Sequence, residues 1–204
     1  QGGNWSGAEA SFRRLVAQAR LGIGEAEHEA YFRAQLGDVE TSCLPFGAGE
    51  TQADDYDVEE WQEILPSELN ERLRAQARRH GVSLASLCHL AWGQVVARSS
   101  GQDTAVFGTV LFGRMHAGEG ADRAMGLFIN TLPLRLDMDD MSVRESVRVA
   151  HRKLAELLRH EHASLALAQR CSGVEAPAPL FAALLNYRHN RIDTSRSAMD
   201  SGLG

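Results

Sequence analysis

The sequence holds no apolar run approaching the ~20 residues of a membrane-spanning helix, which argues against a membrane protein. Cysteine is scarce: Cys43, Cys88 and Cys171 are odd in number, far apart and without a CxxC pair. That rules out a disulfide framework and fits a reducing cytoplasm. Positive charge is also in short supply. Twenty-one Lys and Arg stand against 27 Asp and Glu, a formal net charge of −6. Such a surface does not attract phosphate backbones, so nucleic acid is not the expected ligand. There is no Gly-x-Ser-x-Gly nucleophile elbow and no Gly-x-x-x-x-Gly-Lys phosphate loop. Gly118-Glu119-Gly120 lacks the third glycine of a dinucleotide fingerprint and reads as a loop. No internal repeat or low-complexity tract is present. The first residue is Gln1, no secretory pattern follows it, and residues 193–204 are polar, so the chain reads as a piece of a larger domain.

What is present is ordinary globular material. The chain has 204 residues, 44% hydrophobic and 24% charged, enough for one core. Ser6 and Glu9 have capping-box spacing before the helical stripe Phe12, Leu15, Val16 and Ala19. Residues 25–36 read as a second helix stopped by Gly37. Periodicity then disappears over residues 38–57, the best linker candidate, and residues 58–65 suggest a short strand. Ser67 reads as the cap of a helix with the stripe Leu69, Leu73 and Ala77, ended by Gly81. The next helix starts at Ser83. Its apolar residues, Leu84, Leu87, Cys88, Leu90, Ala91, Trp92, Val95 and Val96, run nearly all round, which predicts a central, buried helix.

Residues 104–112 are almost continuously apolar and too short for a helix, so they predict a strand buried on both faces with helices on either side. Residues 127–136 predict a second strand, with Pro133 placing it near an edge. Ser142 and Glu145 form another capping box. The helix after it carries Val143, Val147, Ala150, Leu154, Leu157 and Leu158 opposite Arg144, Arg148, Arg152 and Lys153. A short helix over 164–171 and a third strand over 180–187 complete an α/β or α+β class built on a central sheet.

Two clusters invite chemistry. His160-Glu161-His162 suggests a metal, but the zincin spacing needs a second histidine four residues after the first, and Ser164 stands there. The plainer reading is a polar helix end, where a protonated histidine suits the C-terminal dipole. His89 and Cys88 fall in the buried helix, where a hydrogen-bonded core histidine and an inert thiol are the simpler readings. No self-contained active site emerges from spacing alone.

Several segments in order carry a resemblance. Gly108-Thr109-Val110-Leu111-Phe112-Gly113-Arg114 is similar to G-T-P-x-x-G-R. Met125-Gly126-Leu127-Phe128-Ile129-Asn130-Thr131-Leu132-Pro133-Leu134-Arg135 is similar to (I/M)-G-x-F-V-N-T-L-P-L-R, the most specific match. His160-Glu161-His162-Ala163-Ser164-Leu165-Ala166 stands where H-Q-D-x-P-F-E would, and Pro179-Leu180-Phe181 with Asn186-Tyr187 resembles P-L-F-x-x-x-x-N-Y. Together with the segment from Phe32 to Phe46, these resemble the condensation domains of nonribosomal peptide synthetases, over their C-terminal half and the stretch joining the halves.

The resemblance implies an α/β (α+β sandwich) fold, half of a two-lobed chloramphenicol-acetyltransferase-like architecture. Residues 1–64 would be connecting helices and inter-lobe linker, 65–190 the C-terminal lobe and 191–204 a tail. It implies amide-bond formation between acyl thioesters. These ride on phosphopantetheine arms of carrier domains, with no cofactor bound directly. Carrier domains, an adenylation domain and an N-terminal lobe are the implied partners, in the cytoplasm. The family's H-H-x-x-x-D-G motif is absent here, so no catalytic residue is assigned and the isolated chain is expected to be inactive. The matched motif positions Arg114, Asn130 and Thr131 are the candidates for the substrate tunnel, where they would bind pantetheine amides; the alternative is that they tie strands together. Val110 in place of proline and Ala163-Ser164-Leu165-Ala166 in place of x-P-F-E depart from the pattern and leave the subtype open. An epimerisation domain, a CoA-dependent acyltransferase on the same fold, and a non-catalytic docking platform are the rival readings.

Overall fold

The computed structural model describes residues 22–47, 59–112, 129–138 and 140–188. The expected first helix, the loop over 115–123 and the tail after residue 188 lie outside them. In chain order the elements are α1 (Glu25–Leu36), α2 (Ser67–His80), α3 (Leu84–Ser100), β1 (Thr104–Leu111), β2 (Asn130–Asp137), α4 (Val143–Arg159), α5 (Leu165–Arg170) and β3 (Leu184–Leu185).

Local chemistry accounts for most boundaries. Ser83 and Ser142 accept the backbone N–H groups of Ser86 and Glu145 at the starts of α3 and α4. In α4 the Glu145 carboxylate also accepts from the Ser142 N–H, completing the expected capping box. Ser164 caps α5 through the Leu167 N–H. Gly81 and Gly101 end α2 and α3 in the left-handed region at φ 65°, a conformation that only glycine adopts at no steric cost. Glu25 and Glu27 at the start of α1, and Arg33 in its last turn, complement the helix dipole.

The sheet order is β2-β1-β3. β1 pairs antiparallel with β2, Phe107 opposite Leu134 and Gly108 opposite Pro133, and parallel with β3. Among the described residues Pro133 thus sits on an edge strand, where its missing N–H leaves no ladder bond unmade. Phe107, Leu132, Leu134 and Leu136 are at most 2% exposed, each contributing about 1.5–3 kcal/mol relative to exposure. Helix α3 lies directly on this face: a Cβ placed on Gly93 would stand 3.0 Å from Leu136 and 3.4 Å from Phe107. Helix α4 packs on α3 and β2, and α5 packs on β2 and α1.

Four expectations need correction. Residues 59–65 form no strand: they are extended without ladder partners, and Trp61 and Ile64 are exposed. Their apolar content signalled a strand, but a strand needs a ladder partner, and none of the described residues pairs with this segment. Pro66, with φ −53° and ψ 138°, occupies the N-cap of α2, and Ser67 is its first helical residue without a capping bond. α3 is buried on one face only. Ser86, His89, Leu90, Gly93, Val96 and Ala97 are inside, whereas Ala91 and Val95 are exposed, Val95 at 54%. An all-round apolar helix was expected to be covered on all sides, and here the sheet and α4 cover one. The third strand shrinks to Leu184–Leu185, plus an isolated parallel bridge between Phe181 and Cys43.

That bridge also alters the picture of the linker candidate. Cys43 is fully buried, its N–H donates to the Leu180 carbonyl, and its own carbonyl accepts from Ala182. The beginning of the aperiodic stretch is therefore built into the sheet's border. Residues 48–58 lie outside the described residues.

Candidate functional site

Asn130 opens β2, and its amide is fully engaged. Nδ2 donates to the carbonyls of Glu161 and Ala163 at 2.8 and 2.7 Å, and Oδ1 accepts the Thr131 N–H at 2.9 Å. This is the one amide orientation that matches two acceptors and a donor. Asn130 thus pins the turn after α4 to the start of β2. Thr131, half-buried, faces Val110 across the ladder, and its methyl lies against Gly108. Arg114 lies outside the described residues. Of the three candidates, the structure therefore brings Asn130 and Thr131 together at one strand end.

Five residues along, Arg135 centres an ionic cluster. Its guanidinium donates to Asp137 at 2.8 Å, to the Gln35 carbonyl at 3.1 Å and to the Asp38 carboxylate. The Asp137 carboxylate also accepts from Lys153 of α4 at 2.9 Å and from the Thr104 hydroxyl at 3.1 Å. Burial alone would raise the Asp137 carboxyl, but the Lys153 and Arg135 hydrogen bonds outweigh it and hold it below the usual carboxylate range. The cluster ties the end of α1 to β2 and α4.

His160 caps the C-terminus of α4 and is 4% exposed, whereas His162 remains partly open with Nε2 3.8 Å from the Glu161 carboxylate. The two point to different surroundings, as the spacing implied. His160 Nδ1 lies 2.9 Å from His28 Nδ1 of α1, and the Tyr31 ring stacks on His160 at 4.0 Å. The expectation of a protonated histidine favouring the helix dipole is corrected here. Burial, and then the neighbouring His28, push His160 below the ordinary imidazole value, so its neutral form is favoured. Spacing did not reveal this pair, whose members are 132 residues apart. The available signal was the buried stripe His28, Phe32, Leu36 at four-residue intervals.

A serine–histidine contact also escaped the sequence. Ser86 Oγ lies 2.9 Å from His151 Nδ1 and 2.8 Å from Ser83 Oγ. Chemically this has the make-up of a nucleophile–base pair. Ser86 is 0% exposed, however, so no substrate reaches it, and the contact serves to join α3 to α4. His89 is 2% exposed and donates from Nδ1 to the Ala85 carbonyl at 2.7 Å, a core histidine as expected. Cys88 is half-buried, and burial pushes its thiol up, keeping it protonated and unreactive. No described helix is long and apolar enough to cross a membrane.

The condensation-domain family model matches residues 16–201. Malpinin synthetase and malpibaldin synthetase of Mortierella alpina are 59% and 58% identical to this chain over 192 residues. Each match covers 94% of this chain but only 2% and 4% of those proteins. Bacitracin synthase 3 of Bacillus licheniformis is 30% identical over 82% of this chain and 3% of its own length. Among solved structures, the first condensation domain of the CDA synthetase matches with a TM-score of 0.68 at 22% identity, covering 89% of this chain and 40% of that one. The condensation domain of the monacolin K polyketide synthase MokA matches with a TM-score of 0.60 at 20% identity, covering 84% and 43%. This chain thus spans a small fraction of the synthetases it matches and about two-fifths of the solved chains. The fold is the chloramphenicol-acetyltransferase-like one of condensation domains, and the chain belongs to the condensation domain family.

Proposed function

We propose that this chain forms the acceptor-side lobe of a condensation domain that makes amide bonds between carrier-bound acyl and aminoacyl thioesters. The observation that carries the reading is the condensation-domain match over residues 16–201, with 59% identity to malpinin synthetase over 192 residues. In this reading residues 65–190 form the body of the lobe, 1–64 connect it to a second lobe with α1 packed into its core, and 191–204 form a tail. The substrates arrive on phosphopantetheine arms of carrier domains, delivered beside an adenylation domain in the cytoplasm. No cofactor is held by the lobe itself.

The chain's own contribution is positioning. Holding two tethered reactants in a near-attack arrangement supplies much of the rate in such a reaction. A wall for that arrangement must be stiff. Asn130 provides stiffness where β2 begins, by locking the turn at Glu161 and Ala163. Thr131 would stand in the same wall, its hydroxyl available to pantetheine amides, and Arg114 is carried into this reading by its motif alone. The acid–base or positioning histidine of the family's H-H-x-x-x-D-G motif belongs to the other lobe, since this sequence has no such motif. A single positioned base typically contributes 10²–10⁴-fold.

The test uses two carrier proteins loaded with aminoacyl-pantetheine, with dipeptidyl thioester followed by intact-mass spectrometry. The chain alone is expected to form none, and the chain joined to an upstream half with an intact histidine motif is expected to turn over. Dipeptide from the isolated chain, abolished by replacing one of its own histidines, would overturn the assignment. Failure of the two-lobe protein across a broad panel of carriers would favour a non-catalytic docking platform instead.

A further inference from the structure

The buried pair His28–His160 is used by nothing in the proposed condensation. The two rings meet Nδ1 to Nδ1 at 2.9 Å, 7% and 4% exposed, one on α1 and the other at the C-cap of α4. A neutral imidazole has one N–H and one bare nitrogen. Two Nδ1 atoms at hydrogen-bond distance therefore require opposite tautomers, one ring donating from Nδ1–H and the other accepting at Nδ1. Protonating the accepting ring at Nδ1 places N–H against N–H and destroys the bond, whereas a proton taken up at the donating ring's Nε2 leaves it in place, so the bond is lost once both rings are charged. Tyr31 stacks on His160 at 4.0 Å with 10° between the planes, and Phe32 meets it edge-on. The following residues, Glu161 and Ala163, hold Asn130 through their carbonyls.

We propose that His28 and His160 form a one-proton latch that fastens α1 to the turn holding Asn130, and that acidification opens it. The surroundings are mixed in sign. From α1, Glu25 and Glu27 favour protonation; from α4, Glu156 favours it and Arg159 opposes it; from the turn, His162 opposes it. Glu161 in that turn has its carboxylate beside His162, Asn130 of β2 brings no charge, and burial keeps the Tyr31 phenol and the Cys171 thiol neutral. Burial is the largest influence on both rings and opposes protonation. The folded pair therefore binds fewer protons than the same rings in the unfolded chain, whose ordinary value is about 6.5. The latch's contribution is full above that value and is lost as pH falls from there through the lower folded values. Within that window the folded-to-unfolded ratio falls by up to about tenfold per ring for each pH unit.

Two measurements on the 204-residue chain decide the matter. In the wild type, long-range proton–nitrogen spectra should show His28 and His160 as opposite neutral tautomers at pH 7. Their protonation should coincide with loss of hydrogen-exchange protection in α1 and of the Asn130 side-chain amide signals. Rings that titrate at about 6.5 or above, or that protonate while α1 protection is unchanged, would overturn the latch. The double variant His28→Asn, His160→Asn places a non-titrating amide near each Nδ1 position. It should keep α1 docked at pH 7.5 and show a flatter fall in melting temperature between pH 7.5 and 5.5. A slope equal to wild type would refute the proposal. If the double variant fails to fold, the wild-type titration decides alone.

Discussion

Replacing Asn130 is the sharpest test of how the site is held. Asn130→Ala removes three hydrogen bonds, to the carbonyls of Glu161 and Ala163 and from the Thr131 N–H. At about 0.5–1.5 kcal/mol each, their sum brackets a loss of about 1.5–4.5 kcal/mol. Asn130 is half-buried, so water re-satisfies part of what is lost, which puts the expected cost near 2 kcal/mol. For a chain of this size that is a fall of about 4–8 °C in melting temperature. Asn130→Asp is the discriminating partner. It keeps the shape and the acceptor toward Thr131, but turns a carboxylate oxygen toward two carbonyl oxygens in place of the two N–H groups. It should therefore cost more than alanine, despite being the closer isostere. Urea unfolding at pH 7.5 measures both, and hydrogen exchange at residues 161–163 locates the damage. An alanine variant within about 0.5 kcal/mol of wild type would show that the strut carries nothing, and an aspartate variant no less stable than alanine would refute the donation to the two carbonyls.

Gly108→Ala should destabilise the sheet by about 1–3 kcal/mol, through overpacking. The new Cβ would stand 2.7 Å from Phe181 Cε2 and 2.9 Å from Thr131 Cγ2, in a strand held on both sides. Trimming Phe181 to leucine in the same chain should recover part of the loss, and full additivity of the two changes would refute the contact. Asp137→Asn should flatten the acid limb of the stability curve. With its carboxyl depressed in the folded state, Asp137 contributes stability that is present above the ordinary value of about 3.9 and lost as pH falls through the folded one. An unchanged acid limb in chemical unfolding between pH 5 and 2.5 would contradict the role assigned to Lys153 and Arg135.

Much of the chain is legible residue by residue, where the deciding physics is local. The Ser142–Glu145 box, the glycine stops at 81 and 101 and the edge position of Pro133 each follow from a side chain, or the lack of one, acting on its own backbone. The continuous apolar run at 104–111 is a strand because five of its interior residues in succession are buried. The family likewise rests on linear wording, which is why the motif around Asn130 was readable before any fold. Pairing over distance was not readable. Whether residues 59–65 become a strand depends on a neighbour that composition does not specify. Val95 is apolar at the right helical spacing, yet which face of α3 is covered depends on where β1 and α4 lie. His28 meeting His160, Ser86 meeting His151, and Arg135 reaching Asp38 all join residues 65 to 132 positions apart. Only the packed fold brings such groups within hydrogen-bonding distance, because a hydrogen bond depends on position in space and a linear pattern records only position along the chain.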